Sequence, residues 1–110
     1  MLFEVESALK RKIRLTETQW NHIRIKHPEI ENQIEKIILS LIDPDLIYLQ
    51  SENTYHYIKF FRETPVTQKY LLTVVKHLNK EGFVITCFFM SKIKEKGKVL
   101  VYAKDKDKLR

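Results

Sequence analysis

The sequence predicts an α+β fold in which two N-terminal helices pack on a four- to five-stranded antiparallel sheet. Apolar residues recur at helical spacing in the first part of the chain, and the part after residue 45 contains short β-branched and aromatic runs. No helical segment separates those runs, which favours antiparallel pairing with helices on one face. With 110 residues, 44% of them hydrophobic, the chain is predicted to form a single domain over residues 1–110.

The first helix has a clear start signal. Polar and apolar residues alternate over Lys12–Leu15, which predicts a short edge strand, and residues 16–19 then fit a capping box. The helix is predicted to run to about Lys26, because Pro28 disfavours helical backbone at His27.

Pro28 is also suited to the first position of a second helix. Apolar residues along this helix form a single stripe, and the helix is predicted to end before residues 43–45, which read Asp-Pro-Asp. The stripe consists of Ile30, Ile34, Ile37, Ile38, Leu41 and Ile42.

The predicted strands are residues 46–50, 54–61, 69–77, 83–90 and 99–102. Residues 79–82 fit a hairpin loop in which Gly82 would adopt the positive φ that such turns require. Residues 91–98 contain five charged side chains and Gly97, so they are predicted to form a solvated loop.

Charge is unevenly distributed along the chain. Residues 1–55 contain seven basic and nine acidic residues, whereas residues 56–110 contain thirteen basic and five acidic residues. The formal charge of +6 therefore comes from the second half, where the strands lie. A basic surface of this kind favours an anionic partner such as nucleic acid, and the alternative is a solubilising coat of lysines.

Cysteine use and hydropathy indicate a cytoplasmic protein. Cys87 is the single cysteine, which excludes an internal disulfide and fits a reducing compartment. No apolar run is long enough to span a membrane, and Glu4 and Glu6 stand where a signal peptide would be apolar.

The second strand carries a pattern that single-stranded RNA-binding surfaces use. Tyr55, Tyr57 and Lys59 alternate onto one of its faces, and Arg62 falls on the other. Tyrosine rings can stack on bases, and the cations can bind phosphates. The same pattern also describes any half-exposed strand.

The two histidines of the first helix are candidates for chemistry but not for metal binding. Trp20, Ile23 and His27 share one helical face, whereas His22 points roughly 200° away from Trp20 at about 100° per residue. No thiolate or acidic cluster completes a zinc site with them, so neither a metal nor another cofactor is expected.

Several segments together resemble a known group of proteins. These are Trp20-x-His22-Ile23-x-x-x-His27-Pro28-Glu29, Pro44-Asp45-Leu46-Ile47, the tyrosine-rich strand, Tyr70 to Lys76, and Gly82 to Thr86. The chain resembles, over residues 12 to 104, the small phage and bacterial proteins of the barnase–EndoU–colicin–RelE-like nuclease group. That resemblance implies two helices followed by an antiparallel sheet of about four strands.

The resemblance also implies a metal-independent endoribonuclease, and several members of the group are toxins neutralised by a partner protein. The matching catalytic positions are His22, His27, Lys76 and Thr86, and Cys87 stands where a small residue such as Ala is expected. A histidine would transfer protons, Thr86 would position the phosphate, and Lys76, Arg62 or Lys104 would supply positive charge.

Two other functions fit the same sequence. The chain could be a non-catalytic RNA- or ribosome-binding module, which would keep the basic face without an acid–base pair. It could also be a protein-interaction domain whose basic half binds an acidic partner such as an antitoxin. The sheet face is predicted to bind RNA and the helix face is not, and the active site is predicted where the two halves meet.

Overall fold

The computed structural model describes residues 1–105, which form two α-helices and one seven-stranded mixed sheet. The predicted α+β class is therefore correct. The sheet order is β1-β2-β6-β5-β4-β3-β7, and all neighbours are antiparallel except β2 and β6, which are parallel. The elements are β1 (Phe3–Glu6), β2 (Lys12–Leu15), α1 (Glu17–Lys26), α2 (Ile34–Ile42), β3 (Leu46–Ser51), β4 (Thr54–Phe60), β5 (Tyr70–Leu78), β6 (Glu81–Met90) and β7 (Val99–Ala103).

The expectation of four or five antiparallel strands behind N-terminal helices is wrong in detail. Two strands precede the helices, and the first of them, β1, alternates apolar and acidic residues and pairs with β2. Because β2 also pairs with β6, it lies inside the sheet and not at its edge. The parallel pairing of β2 with β6 is what makes the sheet mixed.

The helices begin and end close to the predicted positions, with one exception. The Thr16 side chain accepts a hydrogen bond from the Gln19 amide at 3.2 Å, which caps α1 as expected. After Pro28 the chain forms only a short 3-10 turn, Pro28–Ile30. Asn32 then adopts a φ of 68°, which interrupts helical backbone, and α2 begins at Ile34.

The turn between β5 and β6 uses a different residue from the one predicted. Asn79, not Gly82, takes the positive φ of 56°, and Gly82 lies within β6 opposite Ile13 of β2. A Cβ atom at Gly82 would lie 2.7 Å from Ile13 Cδ1 and 3.0 Å from the Lys76 carbonyl oxygen. Gly82 therefore permits the close approach of β2 to β6.

We expect Gly82→Ala to lower the free energy of unfolding by about 1–3 kcal/mol, because the added methyl group overpacks this contact. Urea unfolding followed by circular dichroism measures the change. Ile13→Val removes Cδ1, so the double variant should be more stable than the sum of the two single effects predicts. Simple additivity would contradict the steric explanation.

The sheet has two different faces. The covered face packs against α1, α2 and the 3-10 turn and contains the main core, in which the Ser40 and Thr73 hydroxyls lie 2.7 Å apart. The opposite face, here named the open face, has a smaller apolar cluster of Leu46, Ile58 and Leu72, against which Ile93 of the 91–98 loop packs. The open face also carries Tyr48, His56, Val74, Lys76, Thr86 and Phe88.

Candidate active site

The tyrosines expected to stack on RNA lie on the covered face. Tyr57 is fully buried, and its hydroxyl donates a hydrogen bond to Ser7 Oγ at 2.9 Å. Burial raises the pKa of Tyr57 to about 12. Tyr55 stacks on the His77 ring with the centroids 4.0 Å apart. Strand alternation was predicted correctly, but the face assigned to RNA is the one that the helices cover, so these two tyrosines do not form the expected surface.

Two of the expected phosphate-binding cations are engaged with Asp43. Lys59 Nζ donates to the Asp43 carbonyl oxygen at 2.8 Å and to its Oδ2 at 3.2 Å, and Lys104 Nζ donates to the same Oδ2 at 3.0 Å. The hydrogen bond from Lys104 lowers the pKa of the Asp43 carboxyl group. Arg62 is exposed in the connection between β4 and β5. The expected RNA-binding set is therefore not brought together as one surface.

A row of side chains crosses the open face through four neighbouring strands. Tyr48 of β3 pairs with His56 of β4, His56 with Val74 of β5, and Val74 with Thr86 of β6. Lys76 lies on the same face, two residues along β5 from Val74. Since His56 and Thr86 are two strand spacings apart, their Cα atoms are separated by about 10 Å. Val74 lies in the middle of the row, with His56 on one side of it and Thr86 on the other.

A β-bulge turns Thr86 onto this face. The register of β5 and β6 shifts between Val74 and Val75, because Ile85 is an extra residue in β6. Val84 packs in the main core, so strict alternation would have placed Thr86 there as well. The bulge therefore supplies the predicted threonine to the open face.

His56 is held by a buried carboxylate. Its Nδ1 lies 2.8 Å from Glu95 Oε1, and its Nε2 lies 3.1 Å from Gln50 Oε1. The Glu95 side chain is only 3% exposed, and Lys98 Nζ lies 3.3 Å from its Oε2. A carboxylate only accepts hydrogen bonds, so Nδ1 is the donor to Glu95. Glu95 fixes the orientation of the ring.

The sequence interpretation missed His56 as a site residue. Its partner, Glu95, lies in the 91–98 loop, which folds back over the open face through Ile93. One signal was available: Glu95 is the single acidic residue among Lys92, Lys94, Lys96 and Lys98. A lone carboxylate among lysines indicates a specific partner more strongly than it indicates a solvated loop.

The two predicted histidines are separated by the structure. The His27 ring stacks on Phe88 with the centroids 5.0 Å apart, and Phe88 lies on the open face two residues from Thr86. This is possible because β2 pairs only with the start of β6, which leaves the remaining edge of β6 to α1. His22 lies on the exposed side of α1. The open face thus carries Lys76 and Thr86, with His27 at its β6 edge against Phe88, and His22 lies apart from all three.

Within residues 1–105, no three His, Cys, Asp or Glu side chains are grouped so that they could hold a metal ion. No helix of this described part is long and apolar enough to cross a membrane. Comparisons of the chain with protein-family models, with curated proteins and with solved structures find no match.

Proposed function

We propose that this protein is a metal-independent endoribonuclease that binds RNA on the open face. One observation carries the proposal: a histidine oriented by a buried glutamate lies in the same row as Thr86 and beside Lys76. RNA cleavage without a metal requires a proton acceptor for the 2′-hydroxyl, a proton donor for the leaving 5′-oxygen, and positive charge near the phosphate. On the open face, His56 is a histidine that can exchange protons and Lys76 supplies a positive charge.

His56 is the group that we assign to proton transfer. Its Nδ1 faces Glu95, so Nε2 is the nitrogen that would contact substrate once the exposed Gln50 side chain moves aside. Glu95 keeps the ring in one orientation and stabilises the imidazolium when the ring accepts a proton. His27 stacks on Phe88 at the β6 edge, more than two strand spacings from His56, so we assign it no proton transfer.

Lys76 and Thr86 are the groups that we assign to the phosphate. The Lys76 side chain is exposed, and the Thr86 side chain is partly exposed. An ammonium group and a hydroxyl group on one face can both donate hydrogen bonds to non-bridging phosphate oxygens as negative charge develops. The loop that supplies Glu95 adds three exposed lysines along the path of an RNA strand: Lys92, Lys94 and Lys96.

The His56–Glu95 pair also supports a second function. The same contact anchors the 91–98 loop to the sheet, and Glu95 additionally holds Lys98. A loop anchored in this way could present its lysines to RNA without any chemistry, as expected for a non-catalytic RNA-binding module. Both functions predict salt-dependent RNA binding, so cleavage is the observation that separates them.

The test is incubation of the purified protein with 5′-fluorescent RNA in the presence of EDTA. We expect shortened products ending in a 2′,3′-cyclic phosphate. The double variant Lys76→Ala/Thr86→Val should cleave at least about 10-fold more slowly, because it loses two phosphate contacts.

Lys26→Ala/Thr18→Val is the matched control, since both residues are exposed on α1 and the same side-chain types are removed. This control should cleave at the wild-type rate. Intact RNA with the wild-type protein would refute the nuclease assignment. Equal rates for the two double variants would refute the assignment of Lys76 and Thr86.

A further inference from the structure

A cavity of about 510 Å³ lies at the end of the open face away from Lys76. Its apolar walls are Leu46, Phe60, Tyr70 and Ile93, and its rim carries Asp45, Asp105 and Lys104. Cavities of this size are typical of sites for small organic groups. Neither the phosphate contacts nor the proton transfers proposed above use it.

The walls suit a flat, partly apolar ligand. The Phe60 and Tyr70 rings meet edge to face with their centroids 5.5 Å apart. Phe60 is 49% exposed, so it presents an aromatic surface to solvent. Stacking on such rings is how proteins bind the bases of single-stranded nucleic acids.

The rim accepts hydrogen bonds more readily than it donates them. Its ammonium group, Lys104, is bound to Asp43, and the Asp45 carboxylate lies on the same rim. Asp45 Oδ2 accepts a hydrogen bond from the Phe60 amide at 2.7 Å, which fixes this carboxylate beside the ring. A carboxylate has about four acceptor positions, so Asp45 can accept further hydrogen bonds from a ligand. The rim thus disfavours a phosphate and favours a ligand with N–H donors.

The cavity lies within reach of an RNA strand bound at His56. Phe60 is four residues from His56 on the same face of β4, a distance of about 13 Å along the strand. Ile93, in the cavity wall, is two residues from Glu95 in the same loop. A base bound here would therefore belong to a nucleotide close to, but not at, the scissile phosphate.

We infer that this cavity is a nucleobase subsite that selects a base with an exocyclic amino group, cytosine over uracil. The two bases are of the same size, but cytosine presents an amino donor where uracil presents a carbonyl acceptor. Asp45 binds the amino group and repels the carbonyl oxygen. The identification of the ligand as part of an RNA strand rests on the proposed function.

Fluorescence anisotropy with fluorescein-labelled 2′-O-methyl octamers tests the inference. These octamers lack the attacking hydroxyl, so binding is measured without cleavage. We expect the wild-type protein to bind the cytidine octamer at least about fivefold more tightly than the uridine octamer. Tyr70→Leu should weaken binding of the cytidine octamer by about fivefold or more, because one stacking surface is lost.

Asp45→Asn tests the hydrogen-bonding part of the inference. The asparagine carbonyl oxygen can still accept from the Phe60 amide, while its NH₂ group can donate to uracil. We therefore expect the preference for cytidine to disappear or reverse. Tyr102→Leu, the same change as at Tyr70 but on the covered face, is the control and should leave both affinities unchanged.

Equal or undetectable binding of the two octamers by the wild-type protein would overturn the subsite, as would unchanged affinities in Tyr70→Leu. The outcome is independent of the nuclease assay. A preference for cytidine in a protein that leaves unmodified RNA intact would refute the proposed nuclease and retain the subsite. RNA cleavage by a protein that binds the two octamers equally would support the proposed nuclease and refute the subsite.

Discussion

His56→Gln is expected to lower the rate of RNA cleavage by about 10²–10⁴-fold, the range found when a general acid or base is removed. Glutamine has polar atoms that can still bond to Glu95, but it cannot exchange a proton at neutral pH. The 91–98 loop should therefore stay anchored, and the thermal unfolding midpoint should change little. The rate is measured with fluorescent RNA in EDTA under single-turnover conditions.

Two further variants test whether a loss of cleavage comes from the His56–Glu95 pair. Glu95→Gln keeps a side chain of the same shape but removes the charge that stabilises the imidazolium, so we expect a loss of about 10-fold or more. His22→Gln, on the exposed side of α1, should cleave like the wild type. If His56→Gln cleaves RNA at the wild-type rate, His56 does not transfer the proton, and the pair with Glu95 only anchors the loop.

The second large effect concerns stability in acid. His77 is 5% exposed, its Nε2 lies 3.2 Å from the Tyr57 hydroxyl oxygen, and burial, with a smaller contribution from the charge of Arg11, lowers its pKa to about 4. An unfolded histidine has a pKa of about 6.5. Between about pH 6.5 and about pH 4, His77 is protonated in the unfolded chain but neutral in the folded protein. Unfolding therefore becomes more favourable as the pH falls through this interval. The stabilisation is complete above pH 6.5 and is lost as the pH falls from about 6.5 to about 4.

The expected loss from this one residue is about 3 kcal/mol between pH 7 and pH 4. Urea unfolding at several pH values measures it. His77→Phe keeps an aromatic ring beside Tyr55 but cannot titrate. Its free energy of unfolding should therefore fall by about 3 kcal/mol less than that of the wild type between pH 7 and pH 4. His22→Phe is the matched control at an exposed position and should follow the wild type. Parallel curves for the wild type and His77→Phe would exclude His77 as the cause.

Local sequence signals predicted most of the elements. The Thr16 cap, the break at Pro28 and the β-branched runs placed α1 and strands β3 to β7 within about two residues of their observed bounds. Strand β1 was missed because Glu4 and Glu6 were weighed only against a signal peptide, although their alternation with Phe3 and Val5 is typical of a strand. The parallel pairing of β2 with β6 carries no local signal, since it depends on residues far apart in the chain.

The site was predicted less completely for a related reason. Alternation sorts strand residues into two groups, but it does not say which group the helices cover, so Tyr57 was assigned to the wrong side. Thr86 reaches the open face only through the bulge at Ile85, which alternation does not anticipate. The partnership of His56 with Glu95 depends on how a long loop folds back, with Ile93 packed on the open face, and this has no local sequence signal.

The parallel pairing of β2 with β6 also sets an order of events during folding. Helices α1 and α2 and strands β3 to β5 all lie between the two strands in the chain. The antiparallel neighbours β3 to β6 can pair through short connections, whereas β2 must close a long loop at an entropic cost before it gains any contact with β6. We therefore expect the β1–β2 hairpin, which is synthesised before the rest of the sheet, to dock late. Until β6 has left the ribosome, the apolar side of that hairpin has no sheet to join.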